Sequence, residues 1–204
     1  METTLIAYKG DKKLKVALLK EITKHEKMDA ITQGTYGKQD GQWRGCAVAC
    51  SLRSLAIVKK EPLVEKYAQH IRYETDLGIS QTIARLEDRI FEGLTPKDAK
   101  TFPRKFAEAI QPGADLSLVP ARFMKWVVED TLNNFDHAAN PGAVKAVKTV
   151  VQLWQDVIDG KYKDKEELKS AESAAESAAR SAWSAAFKKQ ANYLLKLLKG
   201  APVK

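Results

Sequence analysis

The sequence predicts an all-α, mainly helical single domain with a glycine-rich loop or small hairpin, closed by a long alanine-rich C-terminal helix packed on the body. Three observations predict it. Apolar residues recur at three- and four-residue steps through most of the 204-residue chain. Helix start and stop residues bracket those stretches, among them Ser80, Thr95-Pro96, Gly78, Gly93 and Gly160. Between residues 33 and 45 the periodicity disappears and Gly34, Gly37, Gly41 and Gly45 crowd together.

Asp11 caps a first helix whose Leu14, Val16, Ala17, Leu18 and Ile22 run to about His25. The stretch from Thr32 to Gly45 reads as a shaped loop or hairpin, with Asp40-Gly41 as its turn signal. Cys46–Val58 reads as a buried helix, with a strand as the alternative because of its Val and Ile. Pro62 fits the first turn of a helix from Leu63 to Leu77 that Gly78 ends, and Ser80 caps the next, from Gln81 to Glu92. Thr95-Pro96-Lys97-Asp98 starts another, and Pro103 predicts a break followed by a separate helix to Ile110. After Pro112-Gly113 a helix is expected from Pro120, carrying Phe123, Trp126 and Val127. After Asn140-Pro141-Gly142 a strongly apolar one runs from Val144 to Ile158. A charged connector, Lys161 to Glu167, leads to the alanine repeat Ala171, Ala174, Ala175, Ala178, Ala179, Ala182, Ala185, Ala186, continued by Phe187, Ala191, Leu194, Leu195 and Leu198. The organisation is a helical body, 1–160, and a C-terminal helix, 161–204, of the same domain.

With 44% hydrophobic and 29% charged residues the chain has the composition of an ordinary globular protein. No apolar run approaches the roughly 20 residues needed to cross a bilayer, and Met1-Glu2-Thr3-Thr4 does not open a signal peptide, so a cytoplasmic protein without membrane association is expected. The net charge of +8 is concentrated at the ends: residues 1–60 hold twelve Lys/Arg against six Asp/Glu, and residues 188–204 hold five Lys and no acid. Such ends suit an anionic ligand, a nucleotide, nucleic acid or an acidic host protein surface.

The chemistry-bearing residues cluster at the loop and the helices after it. Cys46, at a helix start, lies where free N–H groups favour a thiolate; His70 as base and Glu74 as orienting group complete a candidate set for acyl transfer or hydrolysis. A second reading gives the loop itself the function. Its backbone N–H groups, with Gly34, Thr35, Tyr36, Lys38, Trp43, Arg44 and Gly45, would cradle an anion, although the spacing matches neither the Walker nor the dinucleotide fingerprint. Trp43 is the aromatic best placed for a partner, whereas Trp126, Trp154 and Trp183 belong on apolar stripes. Cys46 and Cys50 are expected to be reduced; with His70 or Glu74 they offer metal-ligand types, but inside an apolar run, so neither metal nor cofactor is predicted. Glu87, Asp88 and Glu92, interleaved with Arg85 and Arg89, read as a solvated, ion-paired helix face.

The ordered set Gln33-Gly34-Thr35-Tyr36, Gly45-Cys46-Ala47-Val48-Ala49-Cys50, His70, Tyr73-Glu74, Leu86-Glu87-Asp88-Arg89-Ile90-Phe91-Glu92 and Gly113-Ala114-Asp115-Leu116-Ser117 resembles a family of uncharacterised phage and bacterial proteins with an alanine-rich tail. That resemblance implies an accessory role on a mobile element, acting on host or defence machinery by binding. The leading expectation is therefore a non-enzymatic binding protein for an anionic ligand or a macromolecule. A Cys46-dependent hydrolase or transferase and a structural protein oligomerising through its C-terminal helix are the alternatives.

Overall fold

In the computed structural model, which describes residues 5–133, 141–161 and 186–204, the chain is mainly helical, and among the described residues the strands are confined to one two-stranded hairpin. A short 3-10 turn, Ala7–Gly10, precedes α1 (Lys12–Lys27), which Asp11 caps by accepting from the Lys13 and Leu14 N–H groups. The glycine loop forms β1 (Lys38–Asp40) and β2 (Gln42–Arg44), antiparallel about Gly41. Then come α2 (Ala47–Lys59), α3 (Ile71–Leu77), α4 (Gln81–Gly93), α5 (Pro96–Ala109), α6 (Val119–Asn133), α7 (Pro141–Ile158) and α8 (Phe187–Lys199).

Helix α2 is the centre of the core. Every residue from Ala47 to Leu52 is buried, as are Ser54, Leu55 and Ala56, which settles the helix-or-strand alternative and explains its all-round apolar sequence. α1 packs on α2 and α5, α4 lies against α2 and α5, and α6 runs along α7. α8 closes over α4, α5 and α6, burying Gln190, Ala191, Leu194 and Leu198. Its approach to α4 depends on Gly93, where a Cβ would overlap the Phe187 ring. The alanine repeat from Ala171 to Ala185, with Trp183, lies outside the described residues; Ala186 is non-helical and α8 begins after it.

Two expected elements differ. The helix expected from Leu63 forms only from Ile71, because backbone groups of the preceding segment serve the glycine loop: the Tyr67 N–H donates to the Tyr36 carbonyl (2.7 Å) and the Glu65 carbonyl accepts the Trp43 indole (2.7 Å). Leu63 and Val64 are correspondingly exposed. The break expected before Pro103 does not occur. α5 continues through it, since Ala99, Phe102, Phe106 and Ala107 bury one continuous face that outweighs the lost backbone bond.

Candidate functional site

The glycine loop lies along the C-terminal half of α4 because its polar groups are satisfied there. The Gln33 amide donates to the carbonyls of Phe91 (2.8 Å), Glu92 (3.1 Å) and Leu94 (2.9 Å), covering acceptors that the helix end leaves open. The Gly34 N–H donates to the Glu92 carboxylate (2.9 Å), and the Thr35 carbonyl accepts the Cys46 N–H (2.7 Å). Gly37, at φ +141°, passes so close to the Glu65 carbonyl that no Cβ fits, and this crossing turns Tyr36 towards α4.

Asp88 is the focus of the site. Its Oδ2 accepts the Tyr36 hydroxyl (2.5 Å) and lies 3.2 Å from His70 Nε2, while the Tyr36 and His70 rings meet edge to face with centroids 5.8 Å apart. His70 Nδ1 faces the Ala68 carbonyl (3.1 Å), a pure acceptor, so that nitrogen carries a proton. Burial first, then the Asp88 hydrogen bond, holds the Tyr36 phenol above the ordinary tyrosine range. Cys46 is buried at the start of α2, and one ligand-type atom from each of Cys46, Asp88 and Glu92 lies within 4.8 Å of the others. Burial pushes the Cys46 thiol up, the Asp88 charge adds to this, and the Ala49 N–H at the helix start pulls it back only in part. The expected thiolate is therefore held as a thiol.

Above this focus opens a cleft of about 730 Å³. Its polar lining is Tyr36, His70, Thr82, Arg85, Asp88 and Arg89, and its apolar lining is Leu86, Pro120, Met124 and Trp154. Arg85 is exposed and hydrogen-bonds the neutral Gln81 amide (2.6 Å); among the described residues no carboxylate pairs with it. Trp154 is buried with an indole N–H that has no hydrogen-bond partner.

The predicted residues do not all converge on one site. Tyr36, Cys46 and His70 converge on one carboxylate, Asp88, but Glu74 does not join them: its Oε2 accepts the Gln81 N–H (3.3 Å) at the start of α4. Asp88 sits against both the imidazole and the thiol. Among the anion-cradle residues, Gly34, Thr35 and Gly45 spend backbone groups internally, Gly45 pairing with Ala30 and Thr32. Lys38 is exposed beside Asp40 (3.5 Å), and exposed Arg44 projects from β2 towards Asp29, Thr32 and Lys100, away from the cleft. Trp43, expected to be free for a partner, is buried: its ring lies under the Arg53 guanidinium at 4.6 Å and beside His25 at 5.5 Å. Cys50 is fully buried, its Sγ donating to the Gly45 carbonyl (3.3 Å).

The acidic group of α4 is the main correction. Glu87 is fully buried, its Oε2 accepting the Tyr73 hydroxyl (2.7 Å), and Asp88 and Glu92 face the loop. The signal was present in the spacing, since Ile83, Glu87, Ile90 and Phe91 fall on one face at i, i+4, i+7 and i+8. No helix among the described residues is long and apolar enough to cross a membrane. No family model, curated protein or solved structure matches the chain.

Proposed function

We propose that the chain is a non-enzymatic binding protein whose ligand is an anion with an apolar part, seated in the cleft above Asp88. The observation that carries this reading is the mixed polar and apolar lining of the cleft. Arg85, which pairs with no carboxylate among the described residues, supplies positive charge and donors from α4, and Pro120 and Met124 of α6 with Trp154 of α7 supply apolar surface to the same cleft. Its volume of about 730 Å³ falls within the usual range for small-molecule sites. Cations on a partly apolar wall attract anions more strongly than the same charges in open water. The motif resemblance adds an accessory role on a mobile element as the proposed setting.

Thiol catalysis is less well supported. Both burial and Asp88 favour the protonated form of Cys46, and the His70 Nε2 is engaged by the carboxylate.

The test uses the full chain and a fluorescent aromatic anion, anilinonaphthalene sulfonate, with nucleoside monophosphates as competitors. One saturable site is expected, weakened by about tenfold or more in Arg85→Glu and weakened further as salt rises. Charge reversal at Lys38 and Arg44 should leave it unchanged. Equal binding by wild type and Arg85→Glu, or loss on reversing Lys38 and Arg44, would return the function to the loop or remove it from both.

A further inference from the structure

Beneath the cleft, Cys46, Asp88 and Glu92 bring three metal-binding atoms within 4.8 Å of one another. They come from two rigid elements: Cys46 immediately precedes α2, and Asp88 and Glu92 are one turn apart on α4, which packs against α2. The outer shell is already in place. Tyr36 and His70 hold Asp88 through Oδ2, and the Gly34 N–H holds Glu92. What remains is an acceptor with nothing to accept from: Asp88 Oδ1 is shut off from solvent and has no hydrogen-bond partner. A buried acceptor in that state is destabilising, and what lies close by is a second carboxylate, which repels it, and the Cys46 thiol, a weak donor at best.

We propose that Cys46 Sγ and one carboxylate oxygen each from Asp88 and Glu92 bind a divalent cation of zinc-like softness, with a water in the fourth position on the exposed Glu92 side. The donor set selects the ion class. Calcium and magnesium sites are built from oxygen alone, whereas a thiolate beside carboxylates suits zinc and its neighbours in the transition series. Binding exchanges a proton for the ion: the Cys46 S–H bond breaks, the thiolate electron pair goes to the cation, and the proton leaves to solvent. The ion then neutralises most of the charge of two carboxylates and one thiolate, and gives Asp88 Oδ1 a partner. His70 and Tyr36 are positioning residues, fixing the carboxylate as outer-shell donors do in known metal sites.

Cobalt(II) is the probe, titrated into the full chain freed of metal by chelator. Binding of one equivalent with a near-ultraviolet thiolate-to-cobalt absorption band is expected, together with release of about one proton near neutral pH. The band should persist in Cys50→Ser, vanish in Cys46→Ser, and be displaced by zinc. Glu92→Gln, at an exposed position where the amide oxygen can still accept the Gly34 N–H, should weaken binding by about tenfold or more, and His70→Gln should weaken it while retaining the band. Absence of the band in wild type, its survival in Cys46→Ser, or an unchanged affinity in Glu92→Gln would overturn the assignment. Should Cys46→Ser lose its helical circular dichroism, Glu92→Gln decides alone. Binding of the aromatic anion in the cleft is read separately, so either result can fail without the other.

Discussion

Glu87 and Asp88 are neighbours on α4 and carry the same functional group, yet they do opposite work. Glu87 points into the body, fully buried, with the Tyr73 hydroxyl as a single donor and its Oε1 unpartnered. Asp88, about 100° further round the helix, points to the glycine loop, keeps 14% of its side chain exposed, accepts the Tyr36 hydroxyl and lies 3.2 Å from His70 Nε2. Burial pushes the Glu87 carboxyl up to about 8; the Tyr73 hydrogen bond opposes this and the nearby Asp88 charge adds to it. One acid is held neutral inside the fold, and the other organises a polar site at its surface.

The sharpest way to break this contrast is to remove the inward acid. As pH rises above the unfolded carboxyl value of about 4.3, the unfolded chain loses its proton while folded Glu87 keeps it until about 8. Stability from this group is therefore full in acid and falls across that window, by up to about 1.4 kcal/mol per pH unit. His25 acts with the opposite sign. Burial, aided by Arg53, holds its ring down to about 4, so its contribution is present above about 6.5 and is lost as pH falls towards 4. The Glu87 effect is thus seen most cleanly between pH 6.5 and 8. Glu87→Gln should match wild type near pH 5 and exceed it by a few kcal/mol, to order of magnitude, near pH 8, as read by urea unfolding at each pH. A pH-independent difference would mean that Glu87 is ionised in the fold.

Tyr73→Phe should be the next largest. It removes the one donor that Glu87 has among the described residues, and a buried acceptor left without one costs about 1–3 kcal/mol. In the Glu87→Gln background the cost should be similar near pH 6, where both side chains are neutral acceptors, and smaller than in the wild-type background above about pH 8, where Glu87 ionises and depends more on the hydroxyl; purely additive losses at both pH values in that double-mutant cycle would show the two side chains to be energetically independent.

How legible these roles were in the sequence depended on whether local or distant contacts decided them. Asp11, Ser80 and Thr95 cap their helices as their spacing predicts, and Gly78 and Gly160 end theirs with positive φ. These signals act within one turn. By contrast, the irregular path from Glu61 to His70 is set by bonds to Tyr36 and Trp43 some twenty to thirty residues earlier, and local pattern carries no trace of them. Trp43 looked available because its neighbours are glycine and polar residues, but its ring is enclosed by His25, Arg53 and Tyr67 from three other segments. The candidate site was half legible. Tyr36, Cys46 and His70 were singled out for their chemistry, whereas Asp88 was masked by interleaved arginines that made it resemble an ordinary solvated face. Reading α4 by position on its apolar stripe, rather than by charge alternation, separates Glu87 from Asp88 without a structure.

The outward acid should show its role in chemistry more than in stability. Asp88→Asn leaves an amide of the same shape whose oxygen can still accept the Tyr36 hydroxyl, so the loss in unfolding free energy should be about 1 kcal/mol, the net worth of an ordinary hydrogen bond. The Tyr36 phenol is the better reporter. Its ionisation is held high first by burial and then by donating to Asp88 Oδ2, since a phenolate beside that carboxylate would be repelled. Replacing the carboxylate removes the second cause and keeps the first. A carbon-13 label in the tyrosine rings, with Tyr36→Phe used to assign the resonance, should show Tyr36 titrating at lower pH in Asp88→Asn than in wild type, yet still above an exposed tyrosine. Glu87→Gln should leave that titration unmoved, because Tyr36 hydrogen-bonds to Asp88 and not to Glu87. A Tyr36 titration unchanged in Asp88→Asn, or moved equally by both variants, would mean that the two carboxylates are read by the loop as one charge and that their separation by the helix is not functional.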